Sequence, residues 1–166
     1  PTAAHRVAVA DCGRDRGKGY NINIPLPPGC GTGAYLAVMD RIVAPALRRF
    51  RPELILVASG VDACVSDPTA RMLLHADSYR FMTRRMLELA DELCDGHLVM
   101  THEGGYDPSA APFCVLAIVE EMSGMSTGIT SPFGTLSEHA LTDYQQLQPH
   151  QDAVIRQAEA LLPLLG

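Results

Sequence analysis

Short runs of consecutive apolar residues predict the strands of this protein. Residues 54–57 and 98–100 are uninterrupted apolar runs, and each is followed by a glycine-containing turn. Runs of this kind are typical of strands that are buried on both faces of a parallel sheet. Residues 7–9 and 21–24 are weaker strand candidates.

Apolar residues at spacings of three and four predict helices between and after these strands. The predicted helices cover residues 34–50, 76–94, 112–122 and about 149–162. We expect Asp77 or Ser78 to cap the start of the second helix. The Ser/Thr/Gly-rich stretch 126–144 predicts an irregular connection. Because strands alternate with helices, the pattern predicts an α/β fold with a parallel sheet flanked by helices.

Composition and charge narrow the class of protein. The 166 residues, of which 47% are apolar and 19% charged, fit one globular domain. The chain shows no apolar run long enough to span a membrane and no leader pattern, so we expect a cytoplasmic protein with no membrane partner. The net charge is −6, which argues against binding of nucleic acid. The 5 cysteines are widely spaced without a Cys-x-x-Cys pair, which favours buried thiols over disulfides or structural zinc.

Two loops that follow the strongest strand candidates carry groups capable of chemistry. Ligands of parallel α/β folds bind beyond the carboxyl ends of the strands. Residues 59–63 include Asp62, and residues 102–107 include Tyr106. A carboxylate on one loop and a phenol on the next could ligate a metal and polarise a carbonyl. Each also has a structural explanation, with Asp62 as a turn or capping residue and Tyr106 as a packing residue.

The two loops carry longer motifs, which read Ala-Ser-Gly-Val-Asp-Ala at residues 58–63, with Asp67-Pro68 after it, and His-Glu-Gly-Gly-Tyr at residues 102–106. These motifs resemble the histone deacetylase superfamily, especially the bacterial class II histone deacetylase-like amidohydrolases. The resemblance extends to Gly-Tyr-Asn-Ile-Asn-Ile-Pro-Leu-Pro-Pro-Gly at residues 19–29 and Pro-Phe-Cys at residues 112–114, whereas residues 1–16 match poorly. It implies an arginase/deacetylase-like fold of which residues 1–166 form the C-terminal part of a single domain.

The resemblance also implies a reaction and its residues. Family members hydrolyse acetyl-amides with zinc, and the implied substrate is an acetylated lysine or an acetylated polyamine. By position in the motifs, Asp62 is the implied metal ligand and Tyr106 the implied catalytic donor to the substrate carbonyl. The implied substrate-lining residues are Gly60, Val61, His102, Glu103, Gly104 and Gly105.

The sequence departs from the family pattern in one important way. The family takes two further zinc ligands from an Asp-x-His motif and its proton-shuttling base from a His-His pair. This chain has no His-His pair, and its one Asp-x-His match, at residues 95–97, lies at a predicted helix-to-strand turn. A catalytic zinc typically needs three protein ligands. We therefore expect a fragment that is inactive alone, with the other ligands, the base and structural potassium sites in a missing N-terminal half. Val61 stands where a phenylalanine usually lines the acyl-lysine tunnel.

Several alternatives remain open at this stage. The chain could be a catalytically silent, truncated α/β domain that acts as an interaction or structural module. His102 is either a hydrogen-bonded loop histidine or a site-lining residue, and Glu103 is either a structural hydrogen-bonding residue or a general acid. Asp67-Pro68 is expected to form a turn after the ligand loop. Apolar faces left without the missing half predict homo-oligomers or poor solubility.

Overall fold

Two parallel strands and their flanking helices form the fold. The computed structural model describes residues 8–132 and 142–165. Strand β1 (Ile55–Ser59) pairs in parallel with β2 (Leu98–His102), with Ile55 opposite Leu98 and Ser59 opposite His102. The helices are α1 (Thr32–Val38), α2 (Ala44–Phe50), α3 (Ala76–Cys94), α4 (Ala111–Ser123), α5 (Thr142–Gln145) and α6 (Pro149–Glu159). A π-helical turn, Met39–Val43, joins α1 to α2, and short 3-10 turns cover Asp15–Gly17 and Leu162–Leu164. The predicted α/β class with a parallel, helix-flanked sheet is confirmed.

The strands follow the two strongest apolar runs, but only one face of the sheet is covered. Ile55 is 5% exposed, whereas its neighbour Leu56 is 69% exposed. Leu56 lies opposite Val99 of β2, which is also exposed. The prediction of strands buried on both faces is therefore wrong for the described chain. Successive side chains of a strand point to opposite faces, and the helices pack against only one of them.

Two apolar clusters support the strands and the loops that follow them. The first joins Ile55 to Met86 and Leu89 of α3. The second surrounds Val61, directly after β1, and includes Cys64, Leu74, Tyr79, Ala110, Cys114 and Ile118. Because α3 and α4 both contribute to the second cluster, the loop after β1 rests on a packed base.

The weaker strand candidates do not form strands. Residues 21–24 run without a strand partner in the described chain, and the side chain of Asn23 donates to the carbonyl oxygens of Ala8 (3.2 Å) and Asp11 (3.0 Å). Ile22 and Ile24 pack against a third cluster centred on Ile42, Ile155 and Ala158. Residues 8 and 9 are not in a strand either, and residue 7 lies outside the described residues.

The predicted helices are present, with corrections at their ends. Helix α3 has the predicted bounds, but neither Asp77 nor Ser78 is its N-cap. The cap is His75, whose N–H donates to the Oγ of Ser78 at 3.1 Å, so Ser78 acts from within the first turn. Helix α6 ends at Glu159, short of residue 162.

The remaining helical segments refine the predictions in smaller ways. Helix α1 starts two residues before the predicted start at residue 34, and α4 extends one residue beyond each predicted end. Of the predicted connection 126–144, residues 133–141 lie outside the described residues, and α5 begins at its end. No helix in the described ranges has the length and apolarity needed to cross a bilayer.

Candidate active site

The loops that follow β1 and β2 meet at the same end of the sheet. The N–H of Glu103 donates to the carbonyl oxygen of Ser59 at 3.0 Å. The N–H of Val61 donates to the carbonyl oxygen of Gly104 at 2.7 Å. Parallel pairing therefore continues past the strand ends and brings the two predicted loops together.

The Asp62 carboxylate lies between two glycines of this site. A Cβ atom on Gly60 would lie 2.8 Å from Asp62 Oδ1, and one on Gly104 would lie 2.7 Å from Asp62 Oδ2. Both contacts are closer than real Cβ atoms adopt, so any larger residue at either position would displace the carboxylate. Asp62 is partly exposed and makes no hydrogen bond or ion pair with the described part of the chain. Its oxygens are accordingly available to a ligand.

Gly105 is fitted closely over Val61. Its backbone φ is +147°, an angle that residues other than glycine rarely adopt. A Cβ atom at this position would lie 2.5 Å from Val61 Cγ2. Val61 is fully buried in the second cluster. The structure therefore places Val61 beneath the loop, whereas Gly60 and Gly104 flank Asp62.

Tyr106, His102 and Glu103 lie on the exposed side of the site. The Tyr106 side chain is 61% exposed, and its backbone N–H donates to Asp67 Oδ2 at 2.7 Å. His102, at the end of β2, is also exposed. Glu103 Oε1 accepts a hydrogen bond from the Thr101 hydroxyl at 3.1 Å. The loop after β2 thus presents the Tyr106 phenol and the Glu103 carboxylate to solvent.

Asp67 is a site residue whose second role the sequence did not indicate. It forms the expected local turn with Thr69 and also reaches Tyr106 in the second loop. The pattern around residue 67 carries no signal for this bond, because the partner lies 39 residues away along the chain.

The inner side of the loops is apolar. A cavity of about 410 Å³ adjoins Gly60 and is lined by residues that include Tyr35, Tyr79, Met82 and Met100. Burial, together with the nearby Cys30 and Asp62, raises the pKa of Tyr35 to about 12. Tyr35 is therefore neutral at physiological pH and adds no charge beside Asp62.

Asp62 fits one position of a metal site, and the described chain does not complete that site. Across residues 8–132 and 142–165, no group of three or more His, Cys, Asp or Glu side chains is arranged to hold a metal ion. Residues 95–97, the Asp-x-His match, lie between α3 and the start of β2. The loops of the site follow the other end of β2, so His97 cannot join Asp62. A metal ion at Asp62 would need ligands from elsewhere.

Comparison with known proteins decides the family. The family model for the histone deacetylase domain matches residues 5–122. The chain belongs to the histone deacetylase family. The resemblance seen in the loop motifs is thereby confirmed.

Relatives of this deacetylase-family chain are found in bacteria and archaea. It is 50% identical over 138 residues to a histone deacetylase-like amidohydrolase of Pseudomonas aeruginosa. These 138 residues cover 83% of this chain and 34% of the relative. It is 39% identical over 130 residues to a probable deacetylase of Archaeoglobus fulgidus. These 130 residues cover 77% of this chain and 36% of the relative. The chain therefore spans about a third of the length of these relatives.

The fold is also that of a deacetylase domain. The structure of the histone deacetylase Clr3 matches with a TM-score of 0.73 and 27% identity, covering 90% of this chain and 23% of that one. The arginase/deacetylase-like architecture expected from the motifs is therefore confirmed.

Proposed function

We propose that this chain is the C-terminal part of a zinc-dependent deacetylase domain that hydrolyses an acetyl-amide. The observation that carries the proposal is the Asp62 carboxylate, held between Gly60 and Gly104 on the loops that also carry Tyr106. Family membership and the printed names of the relatives support the reaction class. The substrate that we propose is an acetylated lysine or an acetylated polyamine.

Asp62 supplies one metal ligand in this proposal. Its oxygens make no hydrogen bond within the described chain, and glycine backbone on both sides leaves them accessible. A bound zinc ion lowers the pKa of its water toward about 7 and polarises the substrate carbonyl. The rest of the protein would bring the two further ligands, the histidine base and any structural potassium sites.

Tyr106 donates its phenol hydrogen to the substrate carbonyl oxygen as that oxygen gains negative charge. The exposed side chain is free to meet a substrate that enters from solvent. A single donor to an oxyanion stabilises the transition state by about 3 kcal/mol, or roughly a hundredfold in rate.

The other predicted residues shape the surroundings of these two groups. Gly60 and Gly104 leave room for the Asp62 side chain, and Gly105 allows the second loop to pack closely on Val61. His102 and Glu103 border the exposed side, while Val61 supports the loop from beneath. The buried free thiols, among them Cys64 and Cys114, suit a reducing compartment such as the cytoplasm.

A chimera tests the proposal. This chain replaces the matching segment of the Pseudomonas aeruginosa relative, with which it shares 50% identity over 138 residues. We expect the chimera to hold one zinc ion per chain by elemental analysis and to release acetate from an acetyl-lysine peptide. The unaltered relative is the positive control, and this chain alone is expected to do neither. A folded chimera without zinc or acetate release would instead support the silent interaction or structural module.

A further inference from the structure

Asp67 is a buried carboxylate whose two oxygens bind different parts of the chain. Its Oδ1 accepts the backbone N–H of Thr69 at 2.9 Å and the Thr69 hydroxyl at 2.6 Å. Its Oδ2 accepts the backbone N–H of Tyr106 at 2.7 Å. The residue is only 7% exposed. The bonds to Thr69 account for a local turn, whereas the bond to Tyr106 joins the two loops of the site.

Hydrogen-bond donors alone compensate the burial of this carboxylate. Within the described ranges, no Arg, Lys or His forms an ion pair with Asp67. Burial opposes ionisation, but hydrogen bonds from Thr69, Tyr106 and Asp107 outweigh it and hold the pKa of Asp67 below its usual range. The ionised group therefore accepts charge-assisted hydrogen bonds, which are about twice as strong as neutral ones.

Asp107, directly after Tyr106, is held by a local turn. Its Oδ1 accepts the N–H of Ser109 at 2.8 Å. The hydroxyl of Ser66 and this N–H hold the pKa of Asp107 below its usual range. By hydrogen-bond distance, the described residues therefore show one side-chain link between the two loops of the site, the bond from the Tyr106 N–H to Asp67.

Tyr106 has few other means of keeping its position. Its side chain is 61% exposed, so packing does not fix the ring. The two preceding residues are Gly104 and Gly105, and glycine leaves the backbone more freedom than any other residue. Backbone bonds hold the loop before Tyr106, at Glu103 and Gly104, and the bond to Asp67 is the hydrogen bond that Tyr106 itself makes with the described chain.

We propose that Asp67 is the positioning residue of Tyr106, fixing its backbone so that the phenol reaches the substrate carbonyl. The proposal rests on the proposed function, since it assigns the cross-loop bond to the same site. Asp67 touches neither substrate nor metal in this account. It acts through Tyr106 alone.

Amide hydrogen exchange on this chain tests the link without any need for turnover. In the Asp67→Ala variant, the Tyr106 amide is expected to exchange about tenfold faster or more, because it loses its acceptor. The amides of β1 and β2 should keep their rates, which shows that the fold is intact. Thr69→Val is the matched control, since it removes a donor to Asp67 Oδ1 and leaves the Tyr106 bond in place.

Kinetics in the chimera test the consequence for catalysis. Asp67→Ala is expected to lower kcat about tenfold with KM and zinc content unchanged, because only the Tyr106 position is disturbed. Asp67→Asn keeps one carbonyl oxygen for the Tyr106 N–H and should recover most of the loss. Thr69→Val should stay within about twofold of the parent.

The outcomes separate this inference from the proposed function. Unchanged exchange at Tyr106 in Asp67→Ala overturns the link, and faster exchange with unchanged kcat overturns the positioning role. A fall in zinc content together with kcat also overturns it, since it would place Asp67 in the support of Asp62. If the chimera without substitutions releases no acetate, the proposed function fails, and amide exchange alone decides whether Asp67 fixes Tyr106.

Discussion

The Asp62 carboxylate rests against Gly104, so closely that a Cβ atom there would lie 2.7 Å from Asp62 Oδ2 and 2.9 Å from its Cγ. A Gly104→Ala substitution is therefore expected to push the Asp62 side chain aside. Since Asp62 is partly exposed and can rotate, the fold should survive while the proposed metal ligand is displaced. Elemental analysis of the Gly104→Ala chimera should find zinc well below one ion per chain.

The matched control for this prediction is Gly17→Ala. A Cβ atom at Gly17 would meet nothing within 4 Å, and this glycine lies far along the chain from both loops. Its chimera should hold zinc like the parent. Equal zinc content in the two alanine variants would show that Gly104 does not constrain Asp62.

The uncovered sheet face predicts self-association of the isolated chain. Leu56 is 69% and Val99 45% exposed, and the two lie side by side in the register of β1 and β2. Contiguous apolar surface of this kind drives association in water. A Leu56→Thr, Val99→Thr double variant keeps good strand residues and should shift the sedimentation profile toward monomer.

Leu164→Thr is the control for that experiment. Leu164 is also exposed, at 63%, but lies in a C-terminal turn away from the sheet. It should associate like the unsubstituted chain. A wild-type chain that is monomeric at high concentration would count against any role of the sheet face in self-association.

The fold could be predicted from sequence where local pattern decides it. The apolar runs around Ile55 and Leu98 and the three-and-four spacing of α3 are local signals, and the elements formed close to the predicted bounds. An uncovered apolar face was expected of a fragment, but its position at Leu56 could not be predicted, because a run that is apolar on both sides does not reveal which side is covered. Residues 21–24 did not form a strand in the described chain, although their apolar residues Ile22 and Ile24 are partly buried against the cluster around Ile42, so an apolar pattern alone did not reveal the lack of a pairing partner.

The candidate site was likewise predicted where local motifs determine it, and not where it depends on the packing of distant loops. Motifs indicated Asp62 and Tyr106, and parallel pairing of the strands explains why their loops meet. The bond between Asp67 and Tyr106 depends on how two distant loops pack, so no pattern near either residue encodes it. The close fit of Gly104 against Asp62 is likewise visible only in three dimensions.

Acid sensitivity is expected at the end of α4. The hydroxyl and N–H of Thr127 donate to the buried Glu120 carboxylate, as does Arg80, and these bonds lower the pKa of Glu120 from 4.5 to about 2. A depressed carboxyl pKa stabilises the fold fully above its unfolded value, and the stabilisation is lost as pH falls toward the folded value. The Tm of the chain should therefore fall as pH drops from about 5 toward 2.

A Glu120→Gln variant tests whether the Glu120 carboxylate causes the predicted fall of Tm in acid. The variant should have a lower Tm than the parent at pH 7, and the gap should narrow steadily in acid, because protonation removes the same charge from the parent. Glu53→Gln, at an exposed glutamate outside this network, is the control and should follow the parent at every pH. A gap of constant size from pH 7 to pH 3 would show that the charge of Glu120 does not contribute.

The central proposal is that Asp62 binds the metal and Tyr106 donates to the substrate carbonyl. Acetate release and zinc content of the Tyr106→Phe chimera test it most directly. We predict a loss of turnover of roughly a hundredfold with zinc content unchanged. Asp62→Ala should lose both zinc and turnover, and Tyr20→Phe, at another exposed tyrosine, should lose neither. Turnover of Tyr106→Phe within about twofold of the parent chimera would contradict the role assigned to the phenol.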